Sequence, residues 1–113
     1  MATTVKIVED VAVITFTGKL MGGPETEECY HKIKDAVSQE ITKATVDLSG
    51  AEWINSRGMG ILMACYVSMH NQGGELRLAA VSKKTKSLLR LTKLDTIFKT
   101  YETVEDALAS FKE

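Results

Sequence analysis

The spacing of hydrophobic residues varies along the chain. Some segments show the alternation typical of strands, and others show the spacing of three and four residues typical of helices. Near the start, two β-branched runs at 5–8 and 11–16 are separated only by Glu9-Asp10, which predicts a β-hairpin with a two-residue turn. Three further short apolar runs predict the remaining strands, at 44–48, 75–80 and 96–101.

Segments between these strands predict about four α-helices. The first begins at Pro24, and the second covers roughly 57–71. Ser82 and Thr103 are expected to cap the third and fourth helices, because their hydroxyls can accept hydrogen bonds from early helical N–H groups. The order β-β-α-β-α-β-α-β-α predicts one α/β domain over 1–113, with a mostly parallel mixed β-sheet opened by an antiparallel hairpin.

Composition indicates the class of protein and the cellular compartment of this domain. The 113 residues are 44% hydrophobic and 26% charged, as in globular proteins. The formal net charge of −1 gives no argument for a nucleic acid partner, and no apolar run is long enough to span a bilayer. No secretory signal opens the sequence, and Cys29 and Cys65 are too few for a disulfide framework. We therefore expect a cytoplasmic protein with free thiols.

Candidate catalytic and metal-binding patterns are incomplete. Cys29 and His31 are two residues apart on a predicted helix and so do not face each other, and His70 has no further ligand at metal-binding spacing. The glycines at 58 and 60 lack the third glycine of a dinucleotide-binding turn. Ser56 resembles half of a nucleophile elbow, but no acid lies between it and His70, the last histidine, so the triad order of serine, acid and histidine is excluded. We expect no catalytic residue, metal or cofactor.

Ser56 allows two interpretations. As an N-cap, its hydroxyl would accept a hydrogen bond from an early N–H of the second helix. As a phosphate acceptor, it would place about −1.5 to −2 charges at the positive end of that helix. Gly58 and Gly60 follow, and each costs about 1 kcal/mol against alanine in a helix. Two such residues indicate that a partner or a neighbouring strand approaches the backbone closely.

A basic stretch begins at Ser82-Lys83-Lys84-Thr85-Lys86 and continues to Arg90 and Lys93. It lacks the aromatic residues that stack on nucleic acid bases, which favours a solvated helix face. The alternative is that it docks an acidic partner.

The segment from Val46 to Leu62 reads VDLSGAEWINSRGMGIL and resembles the signature of STAS domains, the family of bacterial anti-sigma factor antagonists. The resemblance extends along the chain to the Gly18-Lys19-Leu20 loop, to 94–98 and to 105–108. It implies a binding module without a catalytic site. Its implied partner is an anti-sigma factor, a serine kinase with a histidine-kinase-like ATPase fold, whose sequestration frees a sigma factor.

In this family the kinase phosphorylates a serine at the start of the second helix, which breaks the complex, and a serine phosphatase restores it. The resemblance places that serine at Ser56. The family pattern is Asp-Ser-Ser/Thr-Gly, whereas this chain has Asn55-Ser56-Arg57-Gly58, with an amide before the serine and a cation after it.

We expect the partner surface to comprise the loop before the second helix and the outer face of that helix, with the residues Trp53, Asn55, Ser56, Arg57, Gly58, Met59 and Gly60. Trp53 and Met59 would form an exposed apolar patch there; the alternative is that Trp53 belongs to the core. An alternative function is an unphosphorylated STAS scaffold in a regulatory or transporter-associated complex.

Overall fold

The opening hairpin has the predicted form. In the structure, a computed structural model that describes residues 3–112, β1 (Thr3–Val8) pairs antiparallel with β2 (Val11–Leu20). Val8 pairs with Val11, which confirms the two-residue turn at Glu9-Asp10. Positions 1, 2 and 113 of the predicted domain lie outside the described residues.

The alternation of strands and helices is also confirmed. After the hairpin the elements are α1 (Pro24–Ser38), β3 (Lys43–Ile54), α2 (Ser56–His70), β4 (Glu75–Ala79), α3 (Lys83–Leu91), a 3₁₀ turn (Leu94–Thr96), β5 (Thr100–Tyr101) and α4 (Val104–Ser110). The strands lie in the order β1-β2-β3-β4-β5, and β2 to β5 are parallel. This is the predicted mixed α/β sheet with four α-helices.

Alternating side chains of the strands divide the core between the two sheet faces. In β2, Ala12, Ile14 and Phe16 belong to the main core beneath α1 and α2, while Val11 and Val13 are buried on the opposite face, where α4 packs. The thiols of Cys29 and Cys65 are both free and buried in the main core.

The pair of strands β2 and β3 is longer than the sequence pattern indicates. Ser49-Gly50 was predicted to end the third strand, but β3 continues to Ile54 and pairs with the end of β2. The register shifts near Gly18, which has φ +116°, a conformation that glycine adopts without steric cost. Pairing between the two strands therefore overrides the local turn signal, and the predicted loop after Gly50 is mostly strand.

The last strand is shorter than predicted. A strand at 96–101 was expected, but Leu94–Thr96 forms a 3₁₀ turn, and the N–H of Phe98 donates to the carbonyl of Leu94. This turn carries the Phe98 ring into the core. Only Thr100–Tyr101 pairs with β4, because the apolar side chains before it are used for packing and not for strand pairing.

Candidate functional site

The candidate site lies where the parallel strands β2 and β3 end, at Leu20 and Ile54, and where α2 begins. The carboxyl ends of parallel strands are the usual position of binding sites in open α/β sheets. Two large apolar side chains are exposed at this edge, Met21 and Trp53. The edge therefore offers apolar surface beside the start of a helix.

Asn55, and not Ser56, caps α2. The Oδ1 atom of Asn55 accepts from the N–H of Gly58 at 2.9 Å, and its Nδ2 donates to the carbonyl of Met21 at 3.3 Å. The interpretation of Ser56 as the N-cap, with the helix starting at Arg57, is wrong because the Asn55 amide can bind both the helix and the loop after β2. A serine hydroxyl at the same position would be too short to link both.

Ser56 is the first helical residue and is exposed. Within residues 3–112, the structure records no hydrogen bond to its hydroxyl. The first turn of α2 contains no acidic residue, so the positive end of the helix dipole is not neutralised locally. The hydroxyl is thus accessible at a position that favours a negatively charged group.

Arg57 lies against the loop between β2 and α1. A Cβ atom placed on Gly22 would be 3.2 Å from Cδ of Arg57, so the stem of the arginine covers this glycine. The cation is therefore held next to Ser56 and over the loop that Asn55 also binds. Sequence reasoning did not find this contact, since nothing in the spacing connects positions 22 and 57.

The two glycines of α2 have different surroundings. A Cβ atom on Gly58 would collide with the carbonyl oxygen of Leu20, so Gly58 is required by the close approach of β2. Gly60 is exposed, and a Cβ atom there would meet no described atom within 4 Å. The neighbouring strand thus explains Gly58 and leaves Gly60 unexplained by the fold.

Met59 and Gly58 are buried and do not contribute to the predicted partner surface. The expectation that Met59 contributes to an exposed apolar patch is wrong, because its side chain is 3% exposed and lies in the main core. It shares the buried face of α2 with Leu62 and Cys65. Gly58 is buried as well. The exposed members of the predicted surface are Trp53, Ser56, Arg57 and Gly60, and Asn55 is partly buried beneath them.

Trp53 is 50% exposed, so the alternative that it belongs to the core is wrong. The Nζ atom of Lys84 lies 4.1 Å from the centre of its ring, a cation–π contact that connects the end of β3 to α3. Trp53 and Lys84 line opposite walls of a groove of about 300 Å³.

The two histidines are surface residues, as predicted. His31 is exposed, and His70 is exposed and stacked on Tyr66, with ring centres 5.5 Å apart. Within residues 3–112 there is no group of three or more His, Cys, Asp or Glu side chains that could hold a metal ion. No helix in this part of the chain is long and apolar enough to cross a membrane.

These features define an open-sheet α/β domain with an exposed serine at a helix start, beside exposed apolar side chains. The chain belongs to the STAS domain family, whose family model matches residues 2–107. This confirms the resemblance found in the sequence.

Similar proteins share nearly the whole domain. A Thermotoga maritima protein described as an anti-sigma factor antagonist is 29% identical over 105 residues, 91% of each chain. A crystal structure with that description from Thermotoga maritima has a TM-score of 0.89 at 26% identity, covering 98% of this chain and 95% of the other. An anti-sigma factor antagonist from Mycobacterium paratuberculosis has a TM-score of 0.83 at 28% identity, covering 98% and 93%.

Proposed function

We propose that this STAS domain is a bacterial anti-sigma factor antagonist that is switched by phosphorylation of Ser56. Acting in the cytoplasm, it sequesters an anti-sigma factor serine kinase with a histidine-kinase-like ATPase fold and so frees a sigma factor. The observation that carries the proposal is the exposed Ser56 hydroxyl, which begins α2 and which the fold does not use as a cap. The module binds its partner and catalyses no reaction itself.

The capping arrangement makes the switch compatible with a stable fold. Because Asn55 binds the N–H of Gly58, phosphorylation of Ser56 breaks no capping hydrogen bond. The phosphate would add about −1.5 to −2 charges at the helix N-terminus, where negative charge is favoured. It would therefore act on the partner, through repulsion and steric exclusion, and a serine phosphatase would reverse it.

The partner surface of this proposal consists of the exposed residues Trp53, Ser56, Arg57 and Gly60. Asn55, Gly58 and Met59 hold these residues in place from beneath, through the cap, the contact with Leu20 and the core. Gly60 supplies a helix surface without a side chain, which allows close approach of another chain. Such an approach gives the second glycine a function that the isolated fold does not require.

The phosphate acceptor is tested with Ser56→Ala and the candidate kinase. We expect the variant to bind the kinase and to take up no phosphate from ATP, because only a hydroxyl is lost. Mass spectrometry of the wild-type protein should place the phosphate on Ser56. Phosphate retained in the variant at Thr85 or Ser87 would move the site to α3. Kinase binding without any phosphorylation of the wild type would favour the unphosphorylated scaffold instead.

The close approach at Gly60 is tested with Gly60→Ala. We expect weaker binding of the kinase although the methyl group meets no atom of the free protein. Val67→Ala, a change at another exposed position of α2, is the matched control and should keep the wild-type affinity. Equal affinities of the two variants would contradict the contribution of Gly60 to the partner surface.

A further inference from the structure

A groove lies beside the Ser56 surface, between the end of β3 and one face of α3. One wall contains residues 51–54, and the other contains Lys84, Leu88 and Leu91. These three residues are spaced by four and three positions and so share a row on the helix. Ser56 does not line the groove. An inference about its occupant therefore does not depend on phosphorylation.

The apolar part of the groove is not covered by the described chain. Leu91 is 82% exposed and Trp53 is 50% exposed, on opposite walls. Adjacent exposed apolar side chains in a concave surface are typical of an interaction site. Their position requires an occupant with at least one apolar side chain.

Helix α3, which forms one wall of the groove, is basic. Helix α3 contains Lys83, Lys84, Lys86 and Arg90 and has no acidic residue. Lys86 pairs with Glu102 at 2.8 Å, whereas Lys83, Lys84 and Arg90 form no salt bridge within residues 3–112. Lys83 is exposed and stands between Ser82 and Lys84, which both line the groove, whereas Arg90 lines a separate pocket with Asp95.

This local charge contrasts with the formal net charge of −1 of the whole chain. Among the described residues, Glu52 on the β3 wall is the one acid that lines the groove. Opposite charges favour association and fix the orientation of a docked segment. The basic helix wall thus favours an acidic occupant. The exposed apolar side chains disfavour an occupant that has only charged side chains.

We infer that the groove binds an acidic segment of a partner protein, with an apolar side chain of that segment between Trp53 and Leu91. Its carboxylates pair with Lys84 in the groove and with the neighbouring Lys83. The occupant replaces solvent on the exposed walls and supplies carboxylates to the cations of α3. The basic stretch in the sequence is therefore a docking surface and not only a solvated helix face.

Trp53 is the only tryptophan of the chain, so its fluorescence reports on the groove directly. The probe is a short synthetic peptide of glutamate and leucine. Two comparison peptides carry lysine in place of glutamate or serine in place of leucine. We expect the first peptide to change Trp53 fluorescence saturably, with affinity that falls as salt is added, and the two comparison peptides to bind at least about tenfold more weakly.

Matched variants locate the binding. Lys84→Glu and Leu91→Ser should each weaken binding about tenfold. Lys34→Glu makes the same charge change beside another aromatic ring, that of Tyr30, and Val67→Ser removes another exposed apolar side chain. Both controls should bind as the wild type does. Leu91 is so exposed that its replacement leaves the core unchanged.

Several results would overturn the inference. These are no fluorescence change with the acidic peptide, equal binding of the lysine peptide, or equal losses in Lys84→Glu and Lys34→Glu. Competition by a single-stranded oligonucleotide as strong as that by the acidic peptide would identify a general polyanion site. Self-association of the protein with the same Trp53 signal, abolished by Leu91→Ser, would identify a second copy as the occupant.

Discussion

Gly58 and Gly60 show how the same residue type serves two purposes within one turn of α2. The first is required by the carbonyl oxygen of Leu20, and the second lies in open space. The sequence predicted close approach at both positions without distinguishing the approaching group. That distinction depends on β2 and β3 continuing side by side, which local spacing does not reveal.

The two glycines predict opposite effects of alanine on stability. Gly58→Ala should lower the free energy of unfolding by about 3 kcal/mol, because the methyl group displaces backbone that cannot rotate away. Gly60→Ala should raise it by about 1 kcal/mol, because alanine favours the helix and meets no neighbour. Urea unfolding of both variants measures these changes. A loss of stability in Gly60→Ala would show that the space beside Gly60 is occupied in solution.

Asn55 was predicted only as a surface contact, and the N-cap role that it has was one of two interpretations of Ser56. Asparagine and serine are both common N-caps, so residue type alone does not decide between neighbours. The decision depends on reach: the Asn55 amide has its acceptor and its donor on separate atoms, so it can bind the N–H of Gly58 and the carbonyl of Met21 at the same time.

Substitutions of Asn55 should separate its two hydrogen bonds. Asn55→Ala loses both and should cost about 1 to 2 kcal/mol of unfolding free energy. Asn55→Asp keeps the cap and gains from the helix dipole, but it loses the donor to Met21. We expect its stability to lie between those of Asn55→Ala and the wild type. Equal unfolding midpoints for the two variants would contradict the capping role.

At the scale of elements, the order of strands and helices was predictable, and the lengths of β2, β3 and β5 were not. Hydrophobic periodicity indicates an element wherever one face is buried, which is why all four helices were found. Gly18 and Ser49-Gly50 look like breaks, but β2 and β3 continue through them as a pair. The residues before β5 resemble a strand because they are apolar. They form a 3₁₀ turn instead, which places Phe98 in the main core.

Phosphorylation of Ser56 should leave α2 folded. A phosphate on Ser56 would lie at the first helical position, next to Arg57, and a charge-assisted bond at an exposed site contributes about 1 kcal/mol. We therefore expect an unchanged or slightly higher melting temperature and an unchanged helical circular dichroism signal after phosphorylation. In the Arg57→Ala variant, phosphorylation should not raise the melting temperature. A drop of many degrees would show that the switch works by local unfolding.

At the scale of the whole molecule, exposed ion pairs join segments that are far apart in the sequence. Asp10 in the hairpin turn contacts Lys43 at the start of β3, at 2.8 Å, and Glu9 contacts Lys112 after α4, at 3.2 Å. Sequence patterns do not predict such pairs, because their formation depends on how the sheet aligns its strands. They also give the fold a dependence on pH that composition alone does not indicate.

The hydrogen bond from Lys43 lowers the pKa of Asp10 below its ordinary value of 3.8, and the bond from Lys86 lowers the pKa of Glu102 below 4.5. A carboxyl group whose pKa is lower in the folded than in the unfolded state stabilises the fold above the unfolded-state pKa. That contribution disappears as the pH falls through the lowered value. The two pairs should therefore stabilise the protein at neutral pH and lose this effect in acid.

Lys43→Met tests this dependence. The variant should return the Asp10 pKa towards 3.8, as measured by NMR titration of its side-chain carboxyl carbon, because the hydrogen bond and the charge are both removed. The difference in unfolding free energy between wild type and variant should shrink as the pH falls below 3.8, and added salt should reduce it at neutral pH, since the pair is exposed. Lys99→Met, which removes a lysine outside the recorded salt bridges of residues 3–112, is the control. An Asp10 titration that is the same in Lys43→Met and Lys99→Met would show that the pair does not persist in solution. Strand pairing and apolar burial would then hold the hairpin turn beside β3 without a contribution from this ion pair.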